Sequence, residues 1–380
     1  MSIETLAGMT GLSKGYLSMV ENGHRQMDRR SHLEAVADAL QVSLTDLTGQ
    51  PYKSKDPAYA RALAAVPALR TAILDTSFDE QPDRPARPME TLRRAIAEVE
   101  DAREAASNAS YGPALPDLIE ELHVHAGGSG NEARPALRAL VGVYRSAFVL
   151  SKDLGYVDLA VMAADRVAQA ADRLNDPAWS ALGAWHRSNA LIGAGSRRRS
   201  LQVAERAVDV AAQHLDKAQV MPMYGSLHLR AALAAVTSQD PSAVEAHLTE
   251  AAEIAGRTGE NDAFRLHFGP TNVAAWRVAI AVELGEGGKV AEIAHGMNMS
   301  FLGNGRRRAH FYIDLGRGLA QARGKDVPAL MALRDAERLA PELVRAHPLA
   351  RETVAAMLQR ARSAAGGRDL RGLAYRLGVA

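Results

Sequence analysis

The stretch IETLAGMTGLSKGYLSMVENGHRQ, residues 3–26, decides how the first fifty residues fold. Ile3, Leu6 and Ala7 recur at helical spacing, so residues 2–9 are expected to form a short helix with one apolar face. Gly11 and Leu12 make a turn, and Ser13 stands where a side-chain oxygen caps the next helix, residues 14–21, whose Leu17 and Val20 turn inward. Asn22-Gly23 stops that helix. Leu33, Val36, Ala37 and Leu40 follow at 3-4-3 spacing and predict a helix over 30–40, with one further turn at 43–47.

Leu6-Ala7, Gly11, Leu12-Ser13, Tyr16-Leu17 and Val20-Glu21-Asn22-Gly23 together resemble the helix-turn-helix of the Cro/cI-type (XRE) family, which includes the lambdoid phage repressors. A recognition helix must sit at a fixed angle to its supporting helix so that its outer face enters the major groove. The small and apolar residues inside the bend suit that demand. Position by position, the resemblance implies that Lys14, Gly15 and Ser18 meet base edges, with Met19 or Tyr16 against a thymine methyl. Lys14 is the residue able to donate to guanine O6 and N7. Ser13, Asn22, His24 and Arg25 fall where the family contacts phosphates, and Arg29 and Arg30 extend the row. Residues 1–50 hold 4 Lys/Arg against 6 Asp/Glu, so any basic patch is local. Family members carry a basic first helix ahead of this pair, and here that first helix is missing. A start placed too far downstream, or a shortened chain, is the expected reason. Leu33, Val36 and Leu40 would normally pack against it and are expected to leave apolar surface open.

The full chain of 380 residues is long enough for two or three domain-sized cores. Hydrophobic residues make up 47% and aromatics only 5%, a balance that suits many helices packed through alanine. The net charge of +1 gives no molecule-wide attraction for nucleic acid. With no cysteine there can be no disulfide, thiolate metal site or cysteine nucleophile. No signal peptide and no uncharged apolar run of bilayer length stand out, so a soluble, cytoplasmic protein is expected.

Residues 51–57, with a proline at each end of a polar run, read as a linker between a 1–50 DNA-binding domain and a 58–380 helical domain. Helical stretches are expected at 58–76, 88–110, 133–152, 156–173, 178–194, 198–214, 219–238, 241–257, 270–285, 288–299, 304–323, 326–340 and 348–364. The alanine-rich helices AADRVAQAADRL (163–174), VAERAVDVAAQHL (203–215) and AHLTEAAEIAGRTG (246–259) recur about 40 residues apart. WSALGAWH (179–186) fits the tetratricopeptide opening W-x2-L-G-x2-Y, with His186 in place of the tyrosine. The expected fold is therefore all-α: a helix-turn-helix followed by a solenoid that resembles a degenerate tetratricopeptide array. An ungraded helical bundle is the alternative.

Such a superhelix presents the first helix of each hairpin on a concave face. The candidate ligand-binding residues there are His186, Asn189, Tyr224, His228, His267, Asn272, Trp276, His310 and Tyr312. Asn189, Asn272 and Trp276 fall on helices of one parity and should face one groove, two amides holding a peptide backbone beside an aromatic anchor. Arg197–199 and Arg306–308 look like anion sites but belong to opposite ends of the array. No phosphate-cradling glycine loop, G-x-S-x-G or H-E-x-x-H occurs, so neither an enzyme nor a cofactor is expected. His123 and His125 point to different faces of one helix, poor geometry for a shared metal, and no metal site is expected.

The two-part layout resembles the peptide-sensing RRNPP class of bacterial quorum-sensing regulators, and regulators of secondary metabolism share it. The resemblance implies a ligand-responsive transcriptional regulator: a homodimer on a pseudo-palindromic operator, sensing a peptide or small molecule through its repeats. A protein-binding adaptor with a vestigial DNA-binding domain and a constitutive repressor without ligand are the alternatives.

Overall fold

Serine caps punctuate the start of the chain. Ser2, Ser13 and Ser43 accept from the amides of Thr5, Tyr16 and Asp46, at the heads of helices α1 (Ile3–Thr10), α2 (Lys14–Glu21) and, after α3 (Arg30–Leu40), α4 (Leu44–Thr48). Left-handed Gly11, with φ of 70°, closes α1. The computed structural model describes residues 1–27, 29–52, 56–80, 82–128, 130–236, 241–303, 305–361 and 367–379. The chain is all-α, and among the described residues the only β feature is an isolated bridge between Asn261 and Phe268. No helix among them is long and apolar enough to cross a membrane.

The remaining helices are α5 (Pro57–Ala64), α6 (Val66–Asp75), α7 (Met89–Glu104), α8 (Asn108–Tyr111), α9 (Leu115–Ala126), α10 (Ala133–Asp153), α11 (Val157–Asp172), α12 (Pro177–Gly193), α13 (Arg197–Ala212), α14 (Val220–Ala235) and α15 (Pro241–Thr258). They are followed by α16 (Pro270–Leu284), α17 (Val290–Ile293), α18 (Gly305–Gln321), α19 (Asp326–Leu339), α20 (Pro341–Ala346), α21 (Pro348–Ala361) and α22 (Arg368–Leu377). Two compact units result, one joining Met1–Tyr52 to Ala274–Ala380 and the other formed by Lys53–Val273.

In the Lys53–Val273 unit, α10 to α15 pack each against the next, and α10, α12 and α14 also touch one another in order. They form the inner row of a helical-repeat stack. Small residues set its spacing. Ala163, Ala164, Ala168 and Ala171 of α11 are buried, and a methyl group at Gly183 of α12 would come within 2.8 Å of the Ala168 Cα. Gly183 is the glycine of the WSALGAWH motif, so that motif marks a close helix crossing. Ser188 and Ser200 bond reciprocally between α12 and α13, each hydroxyl reaching the other's carbonyl.

The other unit closes the helix-turn-helix with distant sequence. Tyr16, Leu17, Met27, Leu33 and Val36 form one core with Leu349 of α21, whose exposure is 2%. The expectation of open apolar surface at Leu33 and Val36 is thus overturned, since both are buried; Leu40 alone of the three stays exposed, at 39%. A second core packs α16, α18 and α19 against α21 and α22 through Val278, Val282, Leu333, Val354 and Leu373.

Several expected helices change. The 58–76 stretch divides into α5 and α6, and the 88–110 stretch breaks after α7, where Ala106 adopts φ of 58°. Only Val290–Ile293 of the 288–299 stretch is α-helical, among Gly287, Gly288 and Gly296, which lack helix propensity. Helices α9, α20 and α22 differ from the expected set; α20 begins at Pro341 and α9 carries Pro116 at its second position, both places where proline fits the first helical turn. The ends of the 219–238 and 348–364 stretches, and part of the 51–57 linker, lie outside the described residues.

Leu349→Ala should lower the stability of the unit that holds the helix-turn-helix by about 2–5 kcal/mol, the usual range for emptying a buried leucine site. Hydrogen exchange should speed up in α1–α3 and stay unchanged in α10–α14; equal effects in both would contradict the packing described.

Candidate nucleic-acid interface

Helix α2 divides cleanly into two faces. Leu17 is buried and Val20 half-buried against the core, whereas Lys14, Gly15 and Met19 are exposed, with Ser18 half-buried beside them. Nothing lies within 4 Å of where a side chain at Gly15 would begin, so the outer face is flat there. Lys14 approaches Glu4 of α1 at 3.7 Å, with both side chains largely in solvent. Such an exposed pair contributes little stability and leaves Lys14 available.

Ser13 caps α2 and remains exposed, as do Asn22, His24 and Arg25 at the other end. The Asn22 amide donates to the Ser18 carbonyl, and the amides of His24 and Arg25 both donate to the carbonyl of Met19. The turn after α2 is therefore tied back onto the helix. The Arg25 guanidinium lies 4.7 Å above the Tyr16 ring, an arrangement that orients it along the edge of the face.

Three expected contacts need correction. Tyr16 is 8% exposed, its ring meets His32 edge-on and its hydroxyl lies 3.2 Å from His32 Nδ1, so it belongs to the core and does not face outward. Arg29 and Arg30 do not extend the phosphate row. The Arg29 guanidinium occupies the space over Gly285, where a methyl group would overlap it. The Arg30 amide donates to Glu283 Oε2 at 3.0 Å, and its guanidinium is shielded from solvent beside the charges of Glu283, Arg317 and Asp314.

Glu283 is the residue that sequence reasoning missed. The side chain of Arg29, the residue at the head of α3, makes no capping bond, and the carboxylate of Glu283, from the end of α16, accepts the first amide of the helix. The other oxygen of Glu283 accepts from Arg317 at 2.9 Å, and Arg317 also donates to Asp314 at 3.0 Å. Burial disfavours the ionised carboxylate, but Arg317 and Arg30 outweigh it and hold Glu283 below the usual glutamate range. Burial pushes Asp314 the other way, upward. Asp314 and Arg317 are three residues apart on one helix, but no local pattern announces Glu283 and Arg30, which join them only through tertiary packing.

The candidate ligand residues are distributed over both units. In the Lys53–Val273 unit, Asn189 is half-buried on α12, and the Tyr224 hydroxyl donates to Glu250 at 3.3 Å. His228 Nδ1 lies 2.9 Å from His247 Nδ1, and burial followed by His247 lowers its pKa to about 4. His267 Nδ1 lies 2.7 Å from Asp262. Asn272 is 4% exposed and its amide donates to the Leu266 carbonyl, so it is committed to the chain itself and does not present a clamp. His186 is 1% exposed. In the other unit, Trp276 lies 6.0 Å from the Arg307 guanidinium, His310 meets the His347 ring at 6.0 Å, and Tyr312 packs beside Phe311. Arg197–199 opens α13 in one unit and Arg306–308 opens α18 in the other, where Arg306 is buried.

Residues 1–47 match the family described as Helix-turn-helix, of the XRE type. No curated protein and no solved structure matches the chain. The match supports a DNA-binding transcription regulator.

Glu283→Ala should cost about 3–5 kcal/mol, the usual effect of removing one partner from a buried ion pair. Because its folded pKa is depressed, Glu283 contributes stability above its unfolded value that is lost as pH falls through the folded one. Urea unfolding across acidic pH should therefore show a weaker loss on acidification in Glu283→Gln than in the native chain. Parallel profiles for the two would rule out the ionised carboxylate as the cap of α3.

Proposed function

We propose that the chain is a ligand-responsive transcriptional regulator that binds a pseudo-palindromic operator as a homodimer. The exposed outer face of α2 carries this reading: Lys14, Gly15, Ser18 and Met19 form a flat, accessible strip on a helix whose opposite face is anchored in a core. Lys14 reads a base edge as donor to guanine O6/N7, Met19 lies against a thymine methyl, and the missing side chain at Gly15 allows close approach to the groove. Ser13, Asn22, His24 and Arg25 flank that strip and position it on phosphates. The Lys53–Val273 stack, which we read as tetratricopeptide-like, is the sensor. Its ligand biases the spacing of two DNA-binding surfaces, and only a ligand that distinguishes two arrangements can do so.

Two substitutions separate reading from positioning. Lys14→Ala should relax preference at one base position by about 1–3 kcal/mol. Arg25→Ala should weaken all sites alike and reduce the salt slope by about one unit. Footprinting of the full chain should show two protected halves about one helical turn, or a multiple of it, apart. Protection of a single half by a monomer would reject the dimer, and equal, sequence-independent losses in both variants would reject the assigned roles.

A further inference from the structure

The segment 261–268 lies across the inner row of the stack. Arg145 of α10 donates from its two terminal nitrogens to the carbonyls of Phe264 and Arg265. The Phe264 ring meets Trp179 of α12 edge-on at 4.9 Å. Phe268 is fully buried over Gly225 of α14, where a methyl group would collide with its ring. Arg265 reaches Glu104 of α7 at 2.7 Å. Phe264, Arg265 and His267 all have positive φ, at 53°, 53° and 51°, a conformation that non-glycine residues hold only when their surroundings enforce it.

Arg145 is also the cation that acts most strongly on His186, with Arg103, Arg230 and Lys152 acting in the same sense; burial and these charges keep the imidazole neutral. His186 meets the rings of Phe148, at 5.5 Å, and Trp185, at 4.9 Å, edge-on, and the Arg230 guanidinium lies 4.4 Å from the Trp185 ring. Both ring nitrogens of His186 are closed to solvent and make no hydrogen bond. A buried donor left without an acceptor is costly and uncommon in a folded protein.

We propose that this cluster is a carboxylate-binding site, in which His186 donates to the ligand's carboxylate, Arg145 forks onto it, and the 261–268 segment is the cover that yields to admit it. The cover shows which donors are on offer: both terminal nitrogens of Arg145 are turned to oxygen acceptors, the two carbonyls, and a carboxylate that displaced them would take both nitrogens with its two oxygens. Phe264 against Trp179 shows where the ligand's apolar group goes, so the ligand is a carboxylic acid bearing an aromatic or branched group. That chemistry is shared by the C-terminus of a peptide and by a free aryl-alkyl acid. The site rests on the reading of this unit as a sensor.

The test is calorimetric titration of the full chain with acetyl-Ala-Ala-Phe, its C-terminal amide and 3-phenylpropionate. At least one free acid should bind, and the amide should bind about tenfold or more weakly than the peptide acid if the peptide is the source. His186→Phe should lower acid affinity by about tenfold or more while melting no lower than the native chain, because it removes an unsatisfied polar group. Arg230→Gln, which keeps His186, should also weaken the acid. Amides of 261–268 should exchange faster when the acid is bound. No heat with either acid, unchanged affinity in His186→Phe, or unchanged exchange in the bound state overturns the site. Footprinting on the same samples keeps the two readings apart: carboxylate binding can fail with DNA binding intact, and the reverse.

Discussion

The carboxylate of Glu283 holds together what the chain order separates by more than two hundred residues. It caps α3 through the Arg30 amide, pairs with Arg317 and so fastens the third helix of the DNA-binding module to α16 and α18. A helix N-terminus carries partial positive charge, and an anion placed there satisfies both the exposed amide and the dipole. Removing the charge would leave Arg317, 3% exposed, with one carboxylate fewer, and a buried cation in that state is costly. The angle of α2 depends on α3 through Leu17, Leu33 and Val36, so the orientation of the outward strip is set partly by an ion pair far from it.

The Lys53–Val273 unit is organised by a different constraint. Alanine and glycine let α11 and α12 approach closely, and the inner row is then close enough for one short segment to touch three of its helices at Arg145, Trp179 and Gly225. Left-handed residues in that segment oppose its closure, while the guanidinium contacts and the buried Phe268 favour it. The balance of these terms, rather than the helices beneath, governs whether the inner face is covered.

Much of the helix-turn-helix was legible because its determinants are local. Apolar spacing identified Leu6, Leu17, Leu33 and Val36, and serine at position 13 marked the start of α2. The errors share one cause. Tyr16 read as an outward residue until a partner for its hydroxyl, His32, was visible; Arg29 and Arg30 read as solvent cations because Gly285 and Glu283 are remote in sequence. His186 was legible as a motif position but not as a sealed one, and Asn272 gave no sign that its amide would be taken by Leu266. The left-handed residues of 261–268 carry no glycine signature, so nothing local distinguishes that segment from an ordinary loop.

Leu349 in the core of the DNA-binding module also sets an order of events during synthesis. Leu17 and Leu33 leave the ribosome early, but the residue that completes their core is made roughly 300 residues later, about 15–60 s at ordinary elongation rates. Through that interval the amino-terminal helices lack their final packing partner, while α10 to α15, built from sequential neighbours, can stack as they emerge. Stable packing of α1 to α3 therefore belongs to the nearly finished polypeptide, and a prematurely terminated one carries the motif without the means to hold it in place.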